Sequence, residues 1–267
     1  MRVSSGELLI EDTASKRTLT KFPFQKILAL FIIGQISITT PLIEKCRQYN
    51  VAIIVTKLSL RPVFFFSVAA EANFLLRQRQ YQYQFSDYDL APAKAIVMNK
   101  VLNQQALLSK LRGRTSKRLA STKDLCADTV EAIASVKDYD KLLSLEGNVA
   151  RNFFACYFEK FGWQGRNPRL KSDYINVTLD IGYTILFNYV ECFARMFGFD
   201  VFVGVYHRLW FKRKSLICDL MEPFRCIIDN TVRNAMARGR IREADFECVR
   251  KQWQLKRDVS VDYYRMF

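Results

Sequence analysis

Val63-Phe64-Phe65-Phe66-Ser67-Val68-Ala69-Ala70 runs without interruption into Glu71-Ala72-Asn73-Phe74-Leu75-Leu76-Arg77-Gln78-Arg79-Gln80-Tyr81. The first half is a short β-branched and aromatic run suited to a buried strand, while the second spaces its apolar residues as a helix does. The chain therefore changes character near residue 70. Before that point further short runs fit strands: Glu7 to Ile10, Ile27 to Ile33, Ile36 to Thr39 and Val51 to Thr56, each bounded by polar or turn-forming residues. One helix interrupts them, because Thr40-Pro41 places proline in a first helical turn and the pattern continues to Asn50.

Beyond residue 70 the helical period holds over Ala70 to Gln84, Ala93 to Leu111, Thr122 to Ser135, Asp138 to Lys160, Ile175 to Phe197, Leu216 to Arg238 and Arg242 to Leu255. Ser121 with Asp124 reads as a capping pair, and Gly198 and Gly239 fall where helix ends need a left-handed residue. The expected fold class is α+β. A small β-rich N-terminal domain over residues 1–70 leads through a linker helix, 71–90, to a larger all-helical domain over 91–267. No internal repeat or low-complexity tract is visible.

Half of the 267 residues are apolar and Gly and Pro are few, so the chain can bury a sizeable core. The 41 Lys and Arg outnumber 26 Asp and Glu, and the resulting net charge of +15 points to a polyanionic partner. The apolar runs are too short to cross a bilayer, and Met1 to Asp12 lacks the apolar block of a secretory signal. A cytoplasmic protein without membrane segments is expected. The 7 cysteines are odd in number and form no Cys-x-x-Cys pair, which favours reduced core thiols over disulfides or structural zinc.

Positive charge is concentrated. Between Asp89 and Asp124 no acidic residue interrupts Lys94, Lys100, Lys110, Arg112, Arg114, Lys117, Arg118 and Lys123. From Lys110 to Arg118 the segment gathers Gly, Ser, Thr and Arg, the types that hold sugar-phosphate oxygens, so Arg112, Arg114, Lys117 and Arg118 are candidate nucleic-acid contacts. Arg208, Lys212, Arg213 and Lys214 form a second cluster beside His207, the only histidine in the chain.

A lone histidine between apolar residues is ordinarily a core residue, and here its company changes the reading. Asp219 and Glu222 follow it, three apart and therefore on one face of a helix that begins near Leu216. Pro223 interrupts the hydrogen-bond ladder at that point, which puts Glu222 at an irregular place. Glu146 adds another carboxylate in Leu145-Glu146-Gly147-Asn148. Glycine inside a helix costs about 1 kcal/mol relative to alanine, so close approach of a backbone or a ligand is the expected reason for Gly147. Two carboxylates and an imidazole make a hard, oxygen-rich set suited to Mg²⁺ or Mn²⁺ more than to zinc.

These residues carry a resemblance. Leu145-Glu146-Gly147-Asn148, Asn176 with Gly182-Tyr183-Thr184, the run from Gly198 to His207, and Ser215 to Arg225 with Asp229 are similar in order and spacing to the CRISPR-adaptation integrase family, Cas-one. Gly34 to Pro41, Leu75 to Tyr81 and Lys100 to Leu108 resemble it too, so nearly the whole chain is covered. The resemblance implies a metal-dependent DNA endonuclease and integrase that inserts short foreign DNA into a CRISPR array through attack of DNA 3′-hydroxyl ends on the repeat. It implies Glu146, His207 and Glu222 as ligands of Mg²⁺ or Mn²⁺, with Asp219 as the acidic residue beside them. Arg208, Lys212, Arg213 and Arg225 would then position the DNA. The implied partners are double-stranded DNA, both the incoming segment and the repeat with its leader, and a second copy of the chain through the β-rich domain. A small Cas-two subunit is a further implied partner, in a prokaryotic cytoplasm. Two other readings stay open: a catalytically silent DNA-binding scaffold, and an RNA-processing nuclease of the same locus.

Overall fold

A computed structural model describes residues 1–12, 15, 17–34, 37–57, 59–85, 90–111, 116–163, 165–167 and 170–267. They divide into two compact units, Met1–Phe85 with Asn188–Val201, and Ser86–Phe187 with Phe202–Phe267. The fold is α+β, with strands at the N-terminus and a mostly helical remainder.

In the first unit, β1 (Arg2–Ser4), β2 (Glu7–Glu11) and β3 (Thr18–Pro23) form an antiparallel sheet in that order. Ser5 and Gly6 join β1 to β2 with φ of 50° and 78°, the paired left-handed conformation of a two-residue hairpin. A second sheet holds β4 (Ala29–Ile33), β5 (Ala52–Thr56) and β6 (Pro62–Phe66). β4 and β5 are parallel, so the chain must cross over between them, and α1 (Thr40–Gln48) makes the crossing. Leu8, Phe24, Ile32, Leu42, Cys46, Val51 and Ile53 bury themselves together as this unit's core.

Several boundaries differ from the expected ones. Ser37 to Thr39 is not a strand, because Thr39 already caps α1 through its carbonyl, which accepts from the N–H groups of Leu42 and Ile43. The strand expected to reach Val68 ends at Phe66, where the Ser67 hydroxyl accepts from Ala70 N at 3.2 Å and starts α2 (Val68–Ala72). The linker is thus two helices, α2 and α3 (Phe74–Phe85), joined at Asn73. α3 is tied to the Asn188–Val201 segment of the same unit: Gln80 and Asp200 exchange hydrogen bonds at 2.8 and 3.0 Å, and the Tyr81 hydroxyl donates to Asp200 at 2.8 Å.

The second unit is built around α4 (Ala91–Ser109), which packs on α5 (Lys117–Ser135), α6 (Tyr139–Tyr157), α8 (Ser215–Met221) and α9 (Arg225–Ala237). Ser116, not Ser121, starts α5; its hydroxyl accepts from Leu119 N at 3.1 Å, leaving Ser121 and Asp124 inside the helix. α7 (Tyr174–Met196) meets α9 closely: a Cβ on Gly182 would lie 2.5 Å from Ile228. The helix expected over Leu216 to Arg238 breaks into α8 and α9 around a 3-10 turn, Glu222–Phe224, as Pro223 requires. Gly198 and Gly239 have the left-handed φ expected of them, 87° and 67°.

The C-terminal region is not wholly helical, which corrects the expected helix over Arg242 to Leu255. β7 (Phe246–Val249) and β8 (Gln252–Leu255) pair as a hairpin, followed by α10 (Ser260–Met266). Arg250 and Lys251 take φ of 52° and 64° at its turn. Neither is glycine or asparagine, so the sequence carries no turn signal there. Trp253 N donates to Lys171 O at 2.9 Å and fastens the hairpin to a distant part of the chain.

Candidate active site

Glu146 projects from the middle of α6 and Glu222 from the 3-10 turn after α8; both reach Lys100 of α4. The Lys100 ammonium donates to Glu146 Oε1 and stands 2.6 Å from Glu222 Oε2. Arg225 Nε approaches the other Glu222 oxygen at 2.9 Å. The Lys100 and Glu222 side chains are only 12% and 6% exposed, so these charges interact through protein more than through water. Burial works against the Lys100 ammonium, yet Glu222 and Glu146 outweigh it and hold its pKa above the ordinary lysine value. Burial likewise penalises the Glu222 carboxylate, but Lys100 and Arg225 prevail and keep its pKa below the ordinary one.

His207 and Asp219 form a second centre. Asp219 is fully buried, and its carboxylate accepts from the backbone N–H groups of Val205, Tyr206 and His207 at 2.6, 3.0 and 2.9 Å. His207 Nδ1 lies 2.6 Å from the same carboxylate. With Nδ1 held by Asp219, Nε2 is the ring nitrogen left for a ligand. Gly204 makes the arrangement possible, since a Cβ there would stand 2.5 Å from Asp219 Oδ2. Asp219 and Glu222, expected on one helix face, take different partners: Asp219 serves the 205–207 loop, and Glu222 serves Lys100 and Arg225.

A cleft of about 990 Å³ opens beside the carboxylates, lined among others by Glu146, Gly147, Arg151, Arg166, Tyr183 and Arg225. Among the described residues nothing outside its own helix would come within 4 Å of a Cβ on Gly147, so helix packing does not explain that glycine. Behind the cleft, Tyr183 donates to the buried Asp229, and its ring carries the Arg225 guanidinium at 4.6 Å on centroid distance. Burial raises the Asp229 carboxyl to about 7, against the opposing pull of the Tyr183 hydrogen bond and of Arg225, Lys100 and Arg166.

Among the described residues no three of His, Cys, Asp and Glu stand together as a ready metal cage. The donor set nonetheless fits a divalent cation. Two carboxylates from separate elements, Glu222 buried and Glu146 half-buried, already share one cationic atom, the Lys100 Nζ. The buried Tyr206 hydroxyl also lacks a hydrogen bond, and the Glu146 and Glu222 charges add to burial in raising its pKa. Such a hydroxyl suits the water shell that hard cations keep.

The other expected contacts are dispersed. Arg112 and Arg114 lie outside the described residues. Lys117 and Arg118 are exposed at the start of α5, with Arg118 3.6 Å from Glu159. Arg208 lies over the Tyr139 ring at 4.3 Å, Lys212 is exposed and Arg213 is half-buried. Arg225 is engaged by Glu222 and Tyr183. Lys100, counted by sequence among the phosphate-facing cations, is instead turned into the site and paired with both carboxylates. A lysine one turn from the buried Val97 and Gln104 of α4 was the available signal, since lysines on a buried face are ordinarily paired. For Tyr183 and Asp229 composition and spacing offered none.

A family model described as CRISPR associated protein Cas1 matches residues 1–267. A CRISPR-associated endonuclease Cas1 of Thermodesulfovibrio yellowstonii is 27% identical over 233 residues, covering 84% of this chain and 73% of that protein. One of Chlorobaculum tepidum is 26% identical over 243 residues, with 85% and 71% coverage. Among solved structures, a chain of a partial Cas6-RT-Cas1–Cas2 complex superposes with a TM-score of 0.82 at 22% identity, covering 98% of this chain and 82% of that one. A casposase bound to its integration product follows at 0.71 and 22%, with 100% and 82% coverage. At such identity these two structures share the fold.

Proposed function

The chain belongs to the CRISPR associated protein Cas1 family, and on that premise we propose that it is a metal-dependent DNA endonuclease and integrase of CRISPR adaptation. In this reading it inserts short foreign DNA into the array by joining DNA 3′-hydroxyl ends to the repeat. The observation that carries the reading is the sharing of one cationic atom by Glu146 and Glu222, beside a histidine whose Nδ1 is already taken.

Glu146, Glu222 and His207 through Nε2 would hold Mg²⁺ or Mn²⁺. When bound, the ion supplies Lewis-acid polarisation of the scissile phosphate and neutralises charge on its oxygens. The chain's own residues do the rest. Asp219 fixes the tautomer and direction of His207, Arg225 holds Glu222 while stacked on Tyr183, and Arg208, Lys212 and Arg213 place the polyanion beside the site. Lys100 holds the carboxylate pair together, and it would have to yield that place to a bound ion.

A homodimer formed through the first unit fits this reading, since Phe31, Ile33, Val63 and Phe64 on its edge strands are exposed. A Cas2 partner, as in the related complexes, and a prokaryotic cytoplasm complete it; no described helix is long and apolar enough to cross a membrane.

The test uses short duplexes and a repeat-bearing plasmid with and without Mg²⁺ or Mn²⁺. Metal-dependent cutting and joining is expected. His207→Ala and Glu222→Ala should abolish it while keeping most salt-sensitive DNA binding, because phosphate contacts and metal ligation are separate contributions. Wild-type joining by both variants sinks the assignment. DNA binding indifferent to EDTA with no cutting or joining identifies a silent scaffold instead, and preference for RNA hairpins a processing nuclease.

A further inference from the structure

Tyr206 is only 2% exposed, yet its hydroxyl makes no hydrogen bond to any described residue. Buried tyrosines ordinarily find a partner for that group, and a side chain needed only to fill space would be phenylalanine. Its surroundings hold the ring in place. The Tyr206 N–H donates to Asp219 at 3.0 Å, Tyr139 of α6 packs on the ring at 5.7 Å between centroids, and the His207 ring meets it edge-on at 5.0 Å. Arg208 in turn covers Tyr139 at 4.3 Å.

The hydroxyl is held close to the carboxylates. Its pKa is raised by burial first and then by Glu146, Tyr139, Glu222 and Asp219, so three carboxylates lie within electrostatic reach of it. Glu222 Oε2 is orphaned too: it is buried, and Lys100 stands 2.6 Å away without the direction of a hydrogen bond. One buried region thus holds, among the described residues, a donor with no acceptor and an acceptor with no donor. Glu146 and Glu222 line the cleft and Tyr206 does not, so a polymer in the cleft meets the carboxylates and not the phenol. A guest the size of a water can reach both oxygens. A neutral phenol is a poor direct ligand for a hard divalent ion, whereas its oxygen accepts readily from the polarised water that such an ion keeps.

We propose that Tyr206 is a positioning residue of the candidate metal site, its hydroxyl holding a water of the bound ion's shell beside Glu146 and Glu222. The proposal rests on the metal-dependent function above and adds to it a group that touches neither DNA nor the ion.

Tyr206→Phe removes the hydroxyl alone and tests this on the whole chain, with Mn²⁺ as the calorimetric probe and thermal melting in EDTA beside it. Because the hydroxyl has no partner in the protein, the variant should melt in EDTA at or above the wild-type temperature. Its Mn²⁺ affinity should nevertheless fall by about ten-fold or more, as when other outer partners of a metal site are lost. Mn²⁺ bound equally tightly by wild type and variant overturns the role of Tyr206 and leaves the proposed function standing. A weaker Mn²⁺ site accompanied by a lower melting temperature in EDTA also overturns it, and makes the hydroxyl a support of the fold. Wild type that binds no Mn²⁺ at all counts against the proposed function and removes this role with it.

Discussion

Lys100 sits where two carboxylates would otherwise face each other at the wall of the cleft, with its own side chain only 12% exposed. Removing one partner of a buried ion group costs about 3–5 kcal/mol, and the partial exposure of Lys100 and Glu146 places this group at the low end. Lys100→Met should therefore lower the unfolding free energy in EDTA by roughly 3 kcal/mol, read by denaturant titration. Mn²⁺ should restore more stability to the variant than it adds to wild type, because no internal cation competes. An equal Mn²⁺ effect in the two proteins would show that Lys100 and the ion do not share a place. Asp219→Asn keeps volume but loses acceptor capacity toward three backbone donors and Nδ1. A fall in Mn²⁺ affinity of about 10–100-fold is expected from losing such an outer partner, measured calorimetrically.

Two element-level features hold these residues in place. The 204–207 loop wraps the Asp219 carboxylate so tightly that Gly204→Ala must push it aside. That variant should lose DNA joining while retaining DNA binding, and wild-type activity in it would contradict the cradle. The second feature is the contact of α7 with α9 through Tyr183 and Asp229. Asp229 titrates near 7 in the fold against 3.8 for the free group, so folding favours its protonated form. The stability this provides is full below about pH 4 and is lost as pH rises through 7. Asp229→Asn should flatten that decline in denaturation midpoints measured from pH 4 to 8; a slope equal to that of wild type counts against it. Sequence periodicity revealed α4, α6 and α7 because apolar spacing is a local property. It missed the β7–β8 hairpin, whose turn residues Arg250 and Lys251 carry no local preference for it, and it extended α8 through a break that only Pro223 announced.

At the scale of the molecule, the two proposed surfaces separate by chemistry. The exposed apolar residues of β4 and β6 suit a second copy of the chain, whereas the cations of the helical unit suit phosphate. Ile33→Glu with Val63→Glu should shift the protein toward monomer in light scattering and leave the circular dichroism spectrum unchanged, since both side chains are exposed. A dimer that survives both substitutions must use another face.

The sequence by itself determined the change from strands to helices near residue 70, the basic character of the chain, and the candidacy of Glu146, His207 and Glu222, because each is written in spacing or composition over a few turns. Tertiary structure decided the partnerships. Lys100 left the phosphate-facing surface to pair with Glu146 and Glu222, Asp219 was claimed by the backbone of a loop, and Gly147 proved to face open space. Those outcomes depend on which elements, distant along the chain, are brought within 3 Å of one another, and no local pattern encodes such distances.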